Sequence, residues 1–137
     1  MKMTVSYDGT LQSKEALRFA IGQAREKGAG LSVLHVFNSG LFLDYEAGIN
    51  AIDFARRQSK AYLDEAKAIV ATEGKGVNIG VYTVEGDPEE ELLSFANSQK
   101  ADFIVCTPGL KSVIRKYQRT AASETVGAIS MLDVKAA

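Results

Sequence analysis

Cysteine is nearly absent from this chain: Cys106 is the single one among 137 residues, so no intrachain disulfide can form. Without a disulfide framework the expected compartment is a reducing cytoplasm. Histidine is as scarce. His35 stands alone in an apolar stretch, no metal-ligand spacing surrounds it, and no Ser, Cys or carboxylate arrangement accompanies it in sequence. It therefore reads as a structural histidine with satisfied hydrogen bonds, and no metal and no catalytic residue are expected. Charge of one sign is also missing: 16 basic side chains face 17 acidic ones, for a net charge of -1. No overall field draws the chain to nucleic acid or to an anionic membrane, and neither is expected as a partner. No long apolar run follows Met1-Lys2-Met3-Thr4, so neither a signal peptide nor a membrane span is expected.

What is present is an ordinary globular balance, 46% apolar and 24% charged. The length suits one domain over residues 1–137. A chain of this size buries roughly 65–70% of its extended surface, enough for a core without staples. Met3, Val5 and Tyr7 alternate with small residues and end at Asp8-Gly9, a strand followed by a turn. Leu17, Ala20, Ile21 and Ala24 recur at helical spacing, with Ser13 as the expected N-cap and Gly28 as the stop. Leu31 to Phe37 suits a buried strand. Asn38 to Asn50 has no period and reads as a loop, although Leu41, Phe42, Leu43 and Tyr45 suit packing onto the body or onto a partner. A helical stripe runs from Ile52 to Val70 and stops at Gly74, and Val77, Ile79, Val81 and Thr83 alternate as a third strand.

Gly86-Asp87-Pro88-Glu89-Glu90-Glu91 is a helix start. Asp87 caps free N–H groups, Pro88 fits the first helical position, and the three carboxylates meet the positive end of the helix dipole. Leu92, Leu93, Phe95 and Ala96 supply its buried side. Asp102 to Thr107 reads as a fourth strand, 108–119 as a polar and basic segment, Ala121 to Ile129 as a last helix and Met131 to Val134 as a fifth strand. Strands alternating singly with helices imply right-handed crossovers and a parallel α/β sheet covered on both faces. Ligands of such sheets sit beyond the carboxyl ends of the strands, where strand order reverses. That points to Asp8-Gly9-Thr10 and to the stretch from Thr107 to Ser112.

The residues at these places carry a resemblance. Val5-Ser6-Tyr7-Asp8-Gly9 followed by Ser13-Lys14-Glu15-Ala16-Leu17, then Gly28-Ala29-Gly30-Leu31-Ser32-Val33-Leu34-His35-Val36, Gly86-Asp87-Pro88 with Leu92-Leu93 and Ala96, and Ala101-Asp102-Phe103-Ile104-Val105 together resemble universal stress proteins over nearly the whole chain. The resemblance implies a three-layer, Rossmann-like fold of the adenine nucleotide alpha hydrolase type. Its open parallel sheet has five strands in the order 3-2-1-4-5, with helices on both faces, and members often form homodimers through the fifth strand. Many members bind ATP through two Gly separated by two residues, with a third Gly and a Ser or Thr further on. Gly there lets backbone N–H groups approach phosphates, and the next helix presents its N-terminus. In this chain the three Gly positions fall on Thr107, Leu110 and Thr120 and the hydroxyl position on Ala121, in the register that aligns Ser123-Glu124; a one-residue insertion brings Gly109 near a Gly position. Leu110 adds bulk where backbone must meet phosphate, and Ala121 lacks a hydroxyl.

The implied function is a non-enzymatic regulatory or interaction module of the stress response, with a degenerate ATP loop, no obligatory cofactor and a possible protein partner. The alternative is an ATP- or AMP-binding protein. In it, Asp8 contacts the nucleotide, Val36 packs near adenine, and Lys111, Arg115, Lys116 and Arg119 hold phosphate by charge, with hydroxyls from Ser112, Thr120 and Ser123. The plain alternatives are a turn carboxylate for Asp8, core packing for Val36 and a solvated surface for the cations. Cys106 reads as a small buried hydrophobe. A phospho-acceptor receiver domain shares the β/α plan, but the third strand ends Val84-Glu85-Gly86 with no acceptor Asp, and no acidic pair flanks Asp8. Incubation with labelled acetyl phosphate is accordingly expected to leave no base-labile aspartyl phosphate, and its appearance would place the chain among receivers instead.

Overall fold

The structure is a computed structural model that describes residues 1–37, 48–107, 110, 112, 113, 115, 116 and 127–130, with the backbone path alone at 48–52 and 127–130. In chain order these form β1 (Lys2–Ser6), α1 (Leu11–Lys27), β2 (Gly30–Phe37), α2 (Gly48–Glu73), β3 (Ile79–Glu85), α3 (Pro88–Gln99), β4 (Phe103–Cys106) and β5 (Gly127–Ser130). The strands make one five-stranded sheet in the order β3-β2-β1-β4-β5, and every pairing is parallel. Val5 sits opposite Val33 on one side and Val105 on the other.

Alternation along the strands divides the core by face. Met3, Val5, Tyr7, Leu31, Val33 and Val105 pack with Ala16, Leu17, Ala20, Ile21 and Ala24 of α1 and Ala66 of α2. Leu34, Ile104 and Cys106 point the other way and pack with Leu92 and Ala96 of α3 and with Val113. A parallel sheet must be covered on both sides because each face buries apolar residues, and here helices supply both covers.

Helix ends follow local chemistry. Asp87 is extended and its carboxylate accepts from the Glu90 amide at 3.1 Å, with Pro88 opening α3 as expected. Gly28 closes α1 in the left-handed conformation at φ 62. The start of α1 differs from the sequence expectation: Thr10, not Ser13, is the N-cap. The Thr10 hydroxyl accepts from the Ser13 amide at 3.1 Å, while the buried Ser13 hydroxyl donates to the Thr10 carbonyl at 2.9 Å and accepts from the Asp8 amide at 3.2 Å. Ser13 thus serves the cap from inside the first turn, tying the Asp8 amide to the Thr10 carbonyl.

Two further expectations are corrected. Residues 48–50 are helical, so α2 begins before the end of the loop expected over 38–50; residues 38–47 lie outside the described residues. The fifth strand is Gly127–Ser130, paired with β4 from Phe103↔Gly127 to Cys106↔Ser130, not Met131–Val134. Residues 127–129 therefore belong to the sheet rather than to the expected last helix, while 121–126 and 131–134 lie outside the described residues. A short apolar run cannot by itself distinguish strand from helix, and here pairing with β4 decides it.

Gly9 joins β1 to α1 at φ 82, and a Cβ there would fall inside the ring of Tyr62 from α2. Gly76 has a similar φ of 84 with open space around it. Gly76→Ala should therefore cost only the left-handed penalty, about 1–2 kcal/mol, whereas Gly9→Ala adds overpacking and should cost about 2–4 kcal/mol. Urea unfolding of the two variants checks the difference.

Candidate functional site

The carboxyl ends of β1, β2 and β4 meet where the sheet reverses direction of growth, since β1 lies between β2 and β4. A cavity of about 260 Å³ opens there on the α3 face, lined by Ser6, Tyr7, Asp8, Leu34, Val36, Pro88, Thr107 and Leu110. Of the sequence-derived site residues, the structure brings together Asp8, Val36 and Thr107. Ser112 and Arg115 are exposed and do not line the cavity. The Ser112 hydroxyl donates to Glu89 Oε1 at 3.0 Å, and Lys116 Nζ lies 4.0 Å from Glu89 Oε2, so both turn toward the start of α3. Gly109, Lys111, Arg119, Thr120, Ala121 and Ser123 lie outside the described residues.

Asp8 is exposed at the rim. Its Oδ1 accepts from the Thr10 amide at 3.0 Å and from the Thr10 hydroxyl at 2.6 Å, an Asx turn that fixes the carboxylate at the strand end. Val36 is half-buried, against the Leu34, Leu92 and Ile104 cluster, and lines the cavity as well. Thr107 is buried, and its carbonyl accepts from the Leu110 amide at 3.0 Å. The Leu110 carbonyl in turn accepts from Cys106 Sγ at 3.6 Å, and the Leu110 side chain packs against the same apolar cluster. The backbone N–H at the second loop position is therefore already used inside the turn, and a leucyl side chain occupies part of the wall.

His35 lies beneath the site, on the opposite face of the sheet. It is buried, with Nδ1 2.9 Å from the Tyr7 carbonyl and Nε2 2.6 Å from Ser59 Oγ of α2. A carbonyl only accepts, so Nδ1 carries a proton and donates to it; in the neutral ring Nε2 then accepts from the Ser59 hydroxyl. Both ring nitrogens are satisfied, which agrees with the structural reading of this residue. Tyr7 is buried beside it, and its hydroxyl donates to Glu65 Oε1 at 3.4 Å. Burial, then the neighbouring Glu65 carboxylate, push the Tyr7 phenol up from 10.0 to about 12.

Ser6, Tyr7, Leu34 and Pro88 were not singled out in the sequence as site residues. The alternation that buries Val5 on one face does turn Ser6 to the other, and Pro88 follows directly from the helix start at Asp87. Among the described residues no group of three His, Cys, Asp or Glu side chains is placed to hold a metal, and no helix is long and apolar enough to cross a membrane.

Comparison with known proteins bears on the fold and the family. Residues 1–115 match the sequence profile described as the universal stress protein family. The chain is 28% identical over 143 residues to the universal stress protein YxiE of Bacillus subtilis, covering 97% of this chain and 95% of that one. A crystal structure from the same family, from Burkholderia pseudomallei, is 26% identical with a TM-score of 0.69, covering 94% of this chain and 93% of that chain. The universal stress protein from Archaeoglobus fulgidus, solved in complex with dAMP, shares the fold at 22% identity with a TM-score of 0.65, covering 95% and 96%.

The raised Tyr7 value carries a sign. The folded chain keeps this proton where the unfolded chain loses it, so the contribution is complete below pH 10.0 and is lost as pH rises towards about 12. Tyr7→Phe should abolish this component, at most about 1.4 kcal/mol per pH unit, when the alkaline stability curves of the two proteins are compared.

Proposed function

The chain belongs to the universal stress protein family, and we propose that it acts there as a non-enzymatic regulatory module in the cytoplasm, taking an adenine mononucleotide in preference to ATP. The observation that supports this reading most is the use of the Leu110 amide by the Thr107 carbonyl. A glycine loop holds phosphates with free backbone N–H groups at close approach. Here one of those amides is turned inward, and the side chain of Leu110 lines the cavity.

The nucleoside end is better provided for. Asp8 stands fixed at the rim with Oδ2 available to a ribose hydroxyl, and Leu34, Val36 and Leu110 supply apolar walls for a base. A volume of about 260 Å³ lies just under the roughly 300–1,000 Å³ of pockets that enclose a drug-sized ligand. It suits a base and part of a ribose better than a whole triphosphate. The Archaeoglobus relative's complex with dAMP supports the same ligand class. Among the described residues Asp8 is the one carboxylate lining the cavity, and its Oδ1 already accepts twice from Thr10, which leaves that oxygen poorly placed to activate a water. A homodimer paired along β5, a strand at the edge of the sheet, completes the proposal.

Calorimetric titration of the full chain with AMP and with ATP, each with and without magnesium, tests this reading. AMP should bind at least as tightly as ATP, magnesium should add nothing, and Asp8→Asn, which keeps an acceptor for Thr10, should weaken AMP about tenfold. Magnesium-dependent ATP binding tighter than AMP, or turnover of ATP, would overturn it. A second reading, a module that works through protein contacts alone, is favoured if neither nucleotide releases heat. Light scattering on the same sample should report a dimer.

A further inference from the structure

A second and larger cavity, about 380 Å³, opens on the other face of the sheet, between α2 and the carboxyl ends of β2 and β3. Its walls are Phe37, Thr83, Val84 and Glu85 from the strands and Arg56, Ser59, Lys60 and Leu63 from α2. The register places Phe37 opposite Glu85 and His35 opposite Thr83, so these side chains share the α2 face. The two cavities share no lining residue.

Three cations of the described surface are neutralised by a neighbouring carboxylate. Lys14, Arg18 and Lys116 each lie within 4.0 Å of a carboxylate, on Glu65, Glu73 and Glu89. Arg56 and Lys60, one helical turn apart on α2, both reach this cavity and make no ion pair among the described residues. Two unneutralised cations on one wall fit a dianion, and a guanidinium offers forked donors that match a phosphate. The opposite wall accepts rather than donates. Glu85 is a carboxylate, and Ser59 Oγ, 2.6 Å from His35 Nε2, offers oxygen lone pairs. Phe37 and Leu63 add apolar surface between the two walls.

We propose that this cavity is a binding site for a small phosphate monoester with a hydroxyl-bearing body, of the sugar phosphate class. The phosphate lies against Arg56 and Lys60, the hydroxyls donate to Glu85 and to Ser59 Oγ, and the C–H faces rest on Phe37 and Leu63. The site is independent of the nucleotide reading, because it is built on the opposite face of the sheet from other residues. Glu85 sets the selectivity: it repels a bare anion, and a ligand overcomes this only by bringing donors.

Amide and histidine-ring resonances of the isotope-labelled full chain, titrated with ribose 5-phosphate, inorganic phosphate and ribose, test the proposal. Ribose 5-phosphate at millimolar concentration should shift the amides of Ser59, Lys60, Thr83 and Glu85 together with the His35 ring, which reports through Ser59. Inorganic phosphate and ribose should each bind more weakly. Charge reversal at two exposed positions, Arg56→Glu with Lys60→Glu, should weaken ribose 5-phosphate about tenfold or more. Glu85→Gln should narrow the preference for ribose 5-phosphate over inorganic phosphate. No shift, shifts confined to Asp8, Val36 and Thr107, equal binding of inorganic phosphate, or an affinity indifferent to the reversal of both cations would each overturn the proposal. AMP carries the same ribose phosphate, so the two sites are told apart by place: shifts at Asp8, Val36 and Thr107 report the nucleotide cavity and shifts at Ser59, Lys60, Thr83 and Glu85 this one, and failure of one is distinct from failure of the other.

Discussion

β1 is hydrogen-bonded along both of its edges, to β2 and to β4, and what lies at the top of the sheet is placed by that double ladder. Its pairing brings the ends of three strands level, so that Asp8, Val36 and Thr107 surround one cavity although they are far apart in sequence. The ladder continues one step beyond the strand: the Tyr7 amide donates to the Leu34 carbonyl at 2.9 Å, and the Tyr7 carbonyl accepts a hydrogen bond from His35 Nδ1. At the other end, the Lys2 amide donates to Asp102 Oδ2 at 2.8 Å and the Asp102 amide to the Lys2 carbonyl at 2.7 Å, which pins β4 against β1 at its start. A central strand bound on both sides and covered on both faces cannot slip by a residue without turning Val5 out of one core and Ser6 into it.

The two cavities use the same sheet in different ways. The one on the α3 face has a mostly apolar wall and, among the described residues, a single carboxylate at its rim. The one on the α2 face has paired cations facing an acceptor wall. His35 lies between them as a fixed spacer, with one nitrogen held by the β1 backbone and the other by α2. The ring of Tyr62 meets it edge-on at 6.2 Å and also fills the space above Gly9, which ties α2 to the turn that carries Asp8.

Much of this was legible in the sequence where a local signal is strong. The strand alternation, the Asp87-Pro88 helix start, the Gly28 stop and the placing of Asp8 and Thr107 at strand ends each rest on chemistry within a few residues. The Thr10 cap was missed because three hydroxyl or carboxylate side chains (Asp8, Thr10 and Ser13) compete for the same amides, and only their mutual geometry assigns them. The position of β5 was missed because its partner is β4, more than twenty residues earlier, and no local period marks it. The cavity under Arg56 and Lys60 was invisible for a similar reason. Two cations on the surface of a long helix look like any solvated face until β3 is laid beside them.

The closeness of Cys106 to Leu110 has a consequence for kinetics. The thiol is fully buried, and its Sγ lies 3.6 Å from the carbonyl of the residue that closes the cavity wall. An alkylating reagent can reach it only when the end of β4 and the turn after it lift away from the sheet. Because the chain has no other cysteine, the labelling rate of the native protein is a direct gauge of how often that corner opens, free of background from other thiols. A ligand seated in the cavity would be seen as a slower clock, without any substitution being introduced.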